Sequence, residues 1–193
     1  MIEVKNLSFS YGDKHLFNNF NLAVTDGECV CITGKSGCGK TTLLNIISGI
    51  EKAQEGTVNA PEKISYVFQN DRLVPHLSII KNIELCIPKS KKAAALSLLK
   101  EAGLEKEKDC FPSELSGGMN RRAAIIRAVA FGGDAILLDE PFNGLDFSTK
   151  KTMIKIIRRE FKDKSIIMVS HISEDAELMN ARIINIEKQL YLE

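Results

Sequence analysis

The sequence predicts an α/β fold, in which a mostly parallel sheet lies between helices and carries an antiparallel β flap and a helical insertion. Short apolar runs typical of buried strands alternate with segments of helical periodicity, the pattern of parallel sheets covered on both faces. Two alternating strands open the chain and favour an antiparallel pair, whereas residues from about 70 to 130 have the longer period of helices. We expect one domain over residues 1–193, with the helical insertion inside it.

The first part of the chain supplies most of the predicted strands. Alternating apolar residues predict two strands on either side of a turn at Gly12 and Asp13. A compact buried strand then leads through a glycine-rich loop into a helix, and two short strands follow. The predicted strands are 2–9, 20–24, 28–33, 56–59 and 64–68, and the predicted helix is 39–49.

The second part is predicted to be mainly helical. Apolar spacing predicts helices over 79–85 and 95–102, the second ending at Gly103. Ser116 can cap a helix from Gly117 to about Phe131. Apolar runs at 136–138 and 166–169 are typical of buried strands, and a helix from about 149 to 161 lies between them. The chain ends at Glu193 soon after the last strand pattern, so we expect no appended regulatory domain.

Composition and charge restrict the class of protein. The chain is 44% hydrophobic and 26% charged, enough for one core and a charged surface. Its net charge of +1 gives no reason to expect a nucleic-acid partner. The N-terminus lacks the pattern of a signal peptide, and no run approaches the roughly 18 to 20 apolar residues that cross a bilayer. The five cysteines form no CxxC pair, which argues against a zinc site. We expect a cytoplasmic protein, unless a partner holds it at a membrane.

A glycine-rich loop between a predicted strand and a predicted helix carries the first chemical signal. Residues 34–41, here called the phosphate loop, match the pattern GxxxxGK[ST]. Its glycines let successive N–H groups point at phosphate oxygens, and the helix that begins there adds the positive end of its dipole. Lys40 can reach the outer phosphates, and the Thr41 hydroxyl can bind Mg²⁺. The predicted nucleotide-binding residues here are Gly34, Lys35, Ser36, Gly37, Cys38, Gly39, Lys40, Thr41 and Thr42.

Two adjacent carboxylates follow a later buried strand. Asp139 and Glu140 come directly after the apolar run 136–138. Ligands of parallel sheets bind beyond the carboxyl ends of the strands, so these acids are expected beside a bound nucleotide. We expect Asp139 to hold Mg²⁺ through water and Glu140 to polarise an attacking water. Adjacent acids are common in loops, so this interpretation depends on the phosphate loop.

A third motif identifies a family. Residues 115–119, Leu-Ser-Gly-Gly-Met, closely resemble the LSGGQ signature of ABC (ATP-binding cassette) ATPases. Further matches occur in the family's order: Tyr11 where an aromatic ring stacks on adenine, Gln69 at the Q-loop, Asp146 at the D-loop and His171 at the switch histidine. The resemblance covers essentially the whole chain. It implies a P-loop (RecA-like) core and hydrolysis of ATP.

The resemblance also implies how the site is shared between subunits. In the family, the signature of one subunit covers the γ-phosphate held by the phosphate loop of the other, so that a head-to-tail dimer buries two ATP molecules. The signature residues are Ser116, Gly117, Gly118 and Met119, with methionine in place of the usual glutamine. The implied catalytic residues are Glu140, His171 and Gln69, and the implied Mg²⁺ ligands are Thr41, Gln69 and, through water, Asp139.

The spacing of the motifs distinguishes branches of this family. Only 75 residues lie between Lys40 and Ser116, which excludes the long coiled coil of the DNA-repair members. The segment 70–77 looks like the region that receives the coupling helix of an importer's membrane subunit. Its apolar residues would line that contact, or else pack inward as the start of the helical insertion; they are Leu73, Val74, Pro75 and Leu77. With segment 139–146, it is similar to nitrate, sulfonate and taurine importer ATPases.

We therefore predict the ATPase subunit of an ABC importer of a small solute. Its expected partners are a second ATPase subunit, as a homodimer or pseudo-dimer, and an integral membrane subunit that holds it at the inner face of the cell membrane. An exporter ATPase and a non-transport ABC ATPase are the alternatives within the family, and a kinase is the alternative among enzymes.

Overall fold

The computed structural model describes residues 1–189, so the last four residues of the predicted domain lie outside the described part. Two sheets form the body of the molecule. An antiparallel sheet has the order β2-β1-β4, and a parallel sheet has the order β5-β6-β7-β3-β8. The strands are β1 (Ile2–Tyr11), β2 (Lys14–Val24), β3 (Cys29–Thr33), β4 (Glu55–Asn59), β5 (Ile64–Val67), β6 (Ala135–Asp139), β7 (Ser165–Val169) and β8 (Arg182–Asn185).

Helices connect and cover these strands. They are α1 (Lys40–Ile47), α2 (Ile79–Glu84), α3 (Lys92–Glu101), α4 (Gly117–Phe131), α5 (Phe147–Glu160), α6 (Ser173–Leu178) and α7 (Ile186–Gln189). Short 3₁₀ turns span Lys89–Lys91 and Pro112–Glu114. Within residues 1–189, no helix is both long enough and apolar enough to cross a membrane.

The predicted fold class is confirmed, with several differences in detail; β2, for example, begins at Lys14 and not at Phe20. The flap has three strands because β4 pairs with β1. Helix α5 begins at Phe147, two residues before the predicted start, because Asp146 caps its first turn. No element was predicted after Val169, where α6, β8 and α7 lie. Strand β8 has only four residues, and the first two are exposed, so it lacks the apolar run that revealed the other parallel strands.

Three strands of the parallel sheet end side by side. Val169 of β7 lies opposite Ile32 of β3 on one side and opposite Asp139 of β6 on the other. The loops that follow these strands therefore start at the same level of the sheet. One of them is the phosphate loop, so the topology brings it next to the carboxylates after β6 and the histidine after β7.

The helical insertion is formed by α2, α3 and the first turns of α4. The segment that precedes α2 is fixed from inside by the fully buried amide of Asn82. Its oxygen accepts from the Val74 N–H at 2.7 Å, and its nitrogen donates to the carbonyl oxygens of Val74 and Leu77 at 3.1 and 2.9 Å. Leu73 packs against the core. The inward-packing alternative therefore applies to Leu73, while Val74 and Leu77 are half-buried.

Candidate active site

A cavity of about 490 Å³ opens at the carboxyl ends of the three aligned strands. Most of the residues predicted from the motifs line it, although they come from separate parts of the chain. These are Tyr11, Gly34, Ser36, Gly37, Gly39, Lys40, Thr41, Thr42, Gln69, Asp139, Glu140 and His171. Lys35 and Cys38 of the phosphate loop are not among the lining residues, and Cys38 packs partly buried against the core.

The phosphate loop has a backbone that requires glycine at two positions. Gly39 has φ +99°, and a Cβ there would lie 2.9 Å from the Phe17 ring. Gly34 has φ +152°, and a Cβ there would lie 2.8 Å from the Cys38 sulfur. The Lys40 ammonium folds back over the loop and donates to the carbonyl oxygens of Gly34 and Lys35 at 2.8 and 2.9 Å. The loop thus holds a positive charge at the start of α1.

Asp139 is a buried carboxylate at the floor of the cavity. It is 2% exposed and accepts a 2.8 Å hydrogen bond from the Thr41 hydroxyl. Burial raises the pKa of Asp139 above its ordinary value, and the neighbouring Glu140 charge adds to the effect, while the Thr41 hydrogen bond opposes it. A cation bound there would relieve this cost.

The donor set fits Mg²⁺ completed by nucleotide oxygens. Hydroxyl, amide and carboxylate oxygens from Thr41, Gln69 and Asp139 line one cavity, and Mg²⁺ prefers oxygen ligands of this kind. Residues 1–189 contain no group of three or more His, Cys, Asp or Glu side chains able to hold a metal.

Glu140 and His171 meet across the ends of two neighbouring strands. The His171 Nδ1 lies 3.0 Å from both carboxylate oxygens of Glu140. Glu140 is buried and its backbone has φ +48°, a left-handed conformation that is uncommon outside glycine. Its N–H donates to the Val169 carbonyl at 3.0 Å, which holds this turn against β7. The strained turn directs a carboxylate into the cavity beside an imidazole.

Of the other predicted residues, Tyr11 lines the cavity, whereas the signature and Asp146 do not. Tyr11 is half exposed at the end of β1, beside the cavity, as an aromatic face for a base would require. The signature residues 116–119 do not line the cavity; a Cβ on Gly118 would lie 3.4 Å from the Gly144 carbonyl. Asp146 caps α5 by accepting from the Thr149 N–H at 3.0 Å, and hydrogen bonds from Ser148 and Thr149 hold the pKa of Asp146 well below its usual range.

Several residues at the site were not assigned a role from the sequence, among them Asn143 and Val169, which line the cavity. Lys14 and Leu16, at the start of β2, line the cavity beside the phosphate loop. Arg121 lies on α4 and contacts the main chain of Glu140. A signal for Arg121 was available, because it precedes the buried residues Ala124 and Ile125 by three and four positions and so lies on the inward stripe of the helix.

Comparison with known proteins identifies related chains. The profile of a family described as "ABC transporter" matches residues 17–143. The chain is 34% identical to an ergothioneine transport ATP-binding protein of Helicobacter pylori, over 97% of each chain. It is 36% identical to a spermidine/putrescine import ATP-binding protein of Haemophilus influenzae, over 97% of this chain but 56% of that protein. It is 35% identical to an aliphatic sulfonates import ATP-binding protein of Streptomyces avermitilis, over 95% of this chain and 72% of that protein.

Solved structures agree with these matches. A dimeric bacterial ABC transporter cassette superimposes with a TM-score of 0.86 at 32% identity, covering 96% of this chain and 94% of the other. The same cassette in a post-hydrolysis state, bound to ADP and Pi, gives a TM-score of 0.84 at 31% identity. The chain spans little more than half the length of the Haemophilus relative and nearly all of the solved cassette.

Proposed function

Because the chain belongs to the ABC transporter family, we propose that it binds ATP and hydrolyses it to ADP and phosphate. One observation carries this proposal: a lysine-bearing phosphate loop, a buried aspartate and a glutamate–histidine pair converge on one cavity from three strand ends. These are the groups that phosphoryl transfer to water requires, since catalysis depends on positioning and on charge stabilisation. The relative solved with ADP and Pi supports the same chemistry.

The proposed roles follow from position in the cavity. The N–H groups of the phosphate loop and the Lys40 ammonium bind the phosphates, and Tyr11 stacks on the base. Thr41, Gln69 and, through water, Asp139 would hold Mg²⁺, which would supply positive charge against the phosphate oxygens. Lys40 carries the protein's own charge at the same place.

Glu140 is proposed to act on the attacking water. Its carboxylate would accept a hydrogen bond from the attacking water, and the His171 imidazole, with its Nδ1 at 3.0 Å, keeps the carboxylate oriented. His171 has an exposed side chain, so it can also contact the outer phosphate of a bound nucleotide. The pair thus holds water and phosphate in relation to each other.

The signature is proposed to complete the site of a second subunit. Residues 116–119 lie away from the cavity of their own chain, at the N-terminus of a 15-residue helix able to bind an anion. A head-to-tail dimer would bring this terminus over the ATP of the partner, as a homodimer or with a similar chain. The dimeric form of the solved relative supports the arrangement.

Glu140→Gln tests both hydrolysis and the dimer. We expect turnover to fall at least about 100-fold, because a neutral amide polarises water poorly. ATP should then double the molar mass measured by light scattering, since the nucleotide that joins the subunits persists. Glu105→Gln, at an exposed site, is the control and should leave both quantities at wild-type values. A Glu140→Gln protein that stays monomeric at saturating ATP would contradict the shared site.

We also infer that the chain, as one domain over residues 1–193, powers an importer of a small solute. Relatives named as import ATP-binding proteins support this direction of transport over export. Their named solutes, a polyamine and sulfonates, differ in charge, so the proposal stays at the class of small solute. The protein would lie in the cytoplasm and bind the inner face of the membrane through an integral membrane subunit.

The surface around the start and end of α2 is proposed to contact that subunit. Leu85 has 64% of its surface exposed, and Pro75 and His76 are exposed on the preceding turn. Leu85→Glu should abolish association with the membrane subunit while leaving the ATPase rate of the isolated protein within about twofold. Ile50→Glu, at an exposed apolar residue after α1, is the matched control. Co-purification of the Leu85→Glu protein with its membrane subunit at the wild-type level would exclude this surface.

A further inference from the structure

We propose that Arg121 is a positioning residue that ties the main chain at Gln69 to the main chain at Glu140, and so holds two side chains that line the cavity in one fixed relation. The proposal rests on the proposed ATPase function and adds a residue to it. Arg121 lies two positions after the signature, on the first turns of α4, and is 4% exposed. It does not line the cavity itself.

One edge of the planar guanidinium group hydrogen-bonds to the end of β6 and the turn that follows it. The Nε donates to the Pro141 carbonyl at 2.9 Å and the Nη2 donates to the Asp139 carbonyl at 2.9 Å. The Nη2 also donates to the Glu140 carbonyl. Three successive carbonyl groups therefore converge on a single side chain. They belong to the turn in which Glu140 has φ +48°. A strained conformation persists only where its surroundings fix it, and Arg121 supplies that restraint.

Another edge of the guanidinium group, at Nη1, hydrogen-bonds to the segment after β5. The Nη1 donates to the carbonyl oxygens of Phe68 and Gln69 at 2.7 and 3.2 Å, and to the Asp71 carboxylate at 3.1 Å. Gln69 thus has its carbonyl on Arg121 and its side chain among the residues that line the cavity. A shift of this segment cannot occur without changing the hydrogen bonds that also hold Glu140.

A second arginine of α4 shows which contact is special. Arg127 donates to the carbonyl oxygens of Asp71 and Arg72 at 2.9 and 2.7 Å, so it also holds the segment after β5. These hydrogen bonds of Arg127 do not extend to residues 139–141. Arg121 therefore links the segment after β5 to the turn after β6, whereas Arg127 contacts the first of these alone.

The chemistry of the side chain explains why arginine is needed. A guanidinium offers five N–H donors in a rigid plane, whereas an ammonium offers three donors around a point charge. Lysine at position 121 would keep the charge but could not bind both segments at once. Arg121→Lys therefore removes the link while it keeps a cation in the same place.

The first measurement separates binding from turnover. Arg121→Lys should lower kcat for ATP at least about tenfold and leave the Kd for ATP within about twofold, because the phosphate loop and Tyr11 do not contact Arg121. Arg159→Lys, on the exposed face of α5, is the control and should leave kcat unchanged. A loss that falls equally on Kd and kcat, or no loss of kcat, would overturn the proposal.

The second measurement asks whether Arg121 acts through Glu140. In single-turnover assays, Arg121→Lys should cost less than about threefold when Glu140→Gln is already present, because the group it positions no longer contributes. An equal fold loss in both backgrounds would show a role in general stability and overturn the proposal. If wild-type protein does not hydrolyse ATP, the proposed function fails and not this inference alone.

A milder variant keeps the test valid if Arg121→Lys does not fold. Asp71→Asn removes the carboxylate that accepts from the Arg121 Nη1 and leaves the hydrogen bonds from Arg121 to main-chain carbonyl groups. We expect kcat to fall about twofold to fivefold with an unchanged melting temperature, and again less in the Glu140→Gln background. Unchanged kcat in Asp71→Asn would count against the link.

Discussion

Two glycine-rich helix starts in this molecule look alike in sequence and differ in their surroundings. Helix α1 begins after Gly39 with no side-chain cap, and Lys40, Thr41 and Asp139 surround its first turn. Helix α4 begins after Ser116, whose hydroxyl accepts from the Met119 N–H at 3.3 Å. No residue of the signature lines the cavity.

The two helix starts therefore differ in which groups each one offers to a bound anion. The first has a lysine, a hydroxyl and a carboxylate within its own subunit, the groups that the proposed binding of a nucleotide and its cation needs. The second has only N–H groups, a hydroxyl and the end of a helix dipole, which attract an anion weakly when exposed to water. A bound nucleotide on another subunit would supply what the second start lacks.

Among substitutions at the two helix starts, removal of the Lys40 side chain should have the largest effect on ATP hydrolysis. Lys40→Ala removes the cation that faces the phosphates, so hydrolysis should fall at least about 100-fold and ATP binding should weaken. Phosphate release and fluorescent-nucleotide titration measure the two effects. Lys52→Ala, at an exposed site beyond the end of α1, is the control. Wild-type turnover in Lys40→Ala would show that the first helix start is not the phosphate site.

Blocking the second helix start should separate binding from turnover. Ser116→Arg places a bulky cation where the partner's nucleotide would bind, so hydrolysis should fall at least about tenfold while ATP binding to the monomer stays within about twofold. Ser90→Arg, on the exposed 3₁₀ turn before α3, is the control. Weaker ATP binding by the Ser116→Arg monomer would mean that both helix starts serve one nucleotide within a single chain.

The smallest expected effect is a change in protein stability caused by the buried charge of Asp139 at the first helix start. Burial raises the pKa of Asp139 relative to the unfolded chain, so the folded protein holds this proton more tightly. The contribution of Asp139 to stability is therefore complete below its unfolded pKa and is lost as pH rises through the raised value. At neutral pH, Asp139→Asn should raise the Tm of the ligand-free protein by roughly 2–4 °C, as about 1 kcal/mol would in a domain of this size.

Calorimetry at neutral pH and near pH 4 tests this sign. The gain in Asp139→Asn should shrink at the lower pH, where the aspartate of the wild type also becomes neutral. Asp134→Asn, exposed just before β6, should show no gain at either pH. A lower Tm of Asp139→Asn at neutral pH would mean that the Thr41 hydrogen bond outweighs the cost of burying the charge.

Much of the architecture was predictable because local patterns and tertiary packing agree. Buried strands such as β3 and β6 are continuous apolar runs, and α1 and α4 follow glycine-rich starts that local rules recognise. Strand β8 was missed because its pairing with β3 alone makes it a strand, while its first residues stay exposed. A strand of four residues with two exposed ones carries a weaker local signal than the apolar runs of β3 and β6.

The sequence alone determined which chemical groups this protein has and in what order: a phosphate-binding loop, two carboxylates, a signature and a histidine. Those assignments follow from motifs whose backbone and side-chain requirements are local. Only the tertiary structure decided that Glu140 and His171 touch, that the signature lies outside its own cavity, and that Arg121 joins a loop 50 to 53 residues before it to a turn 18 to 20 residues after it. These relations depend on strand order and helix packing, because residues far apart in the chain meet only where the sheet aligns their strands.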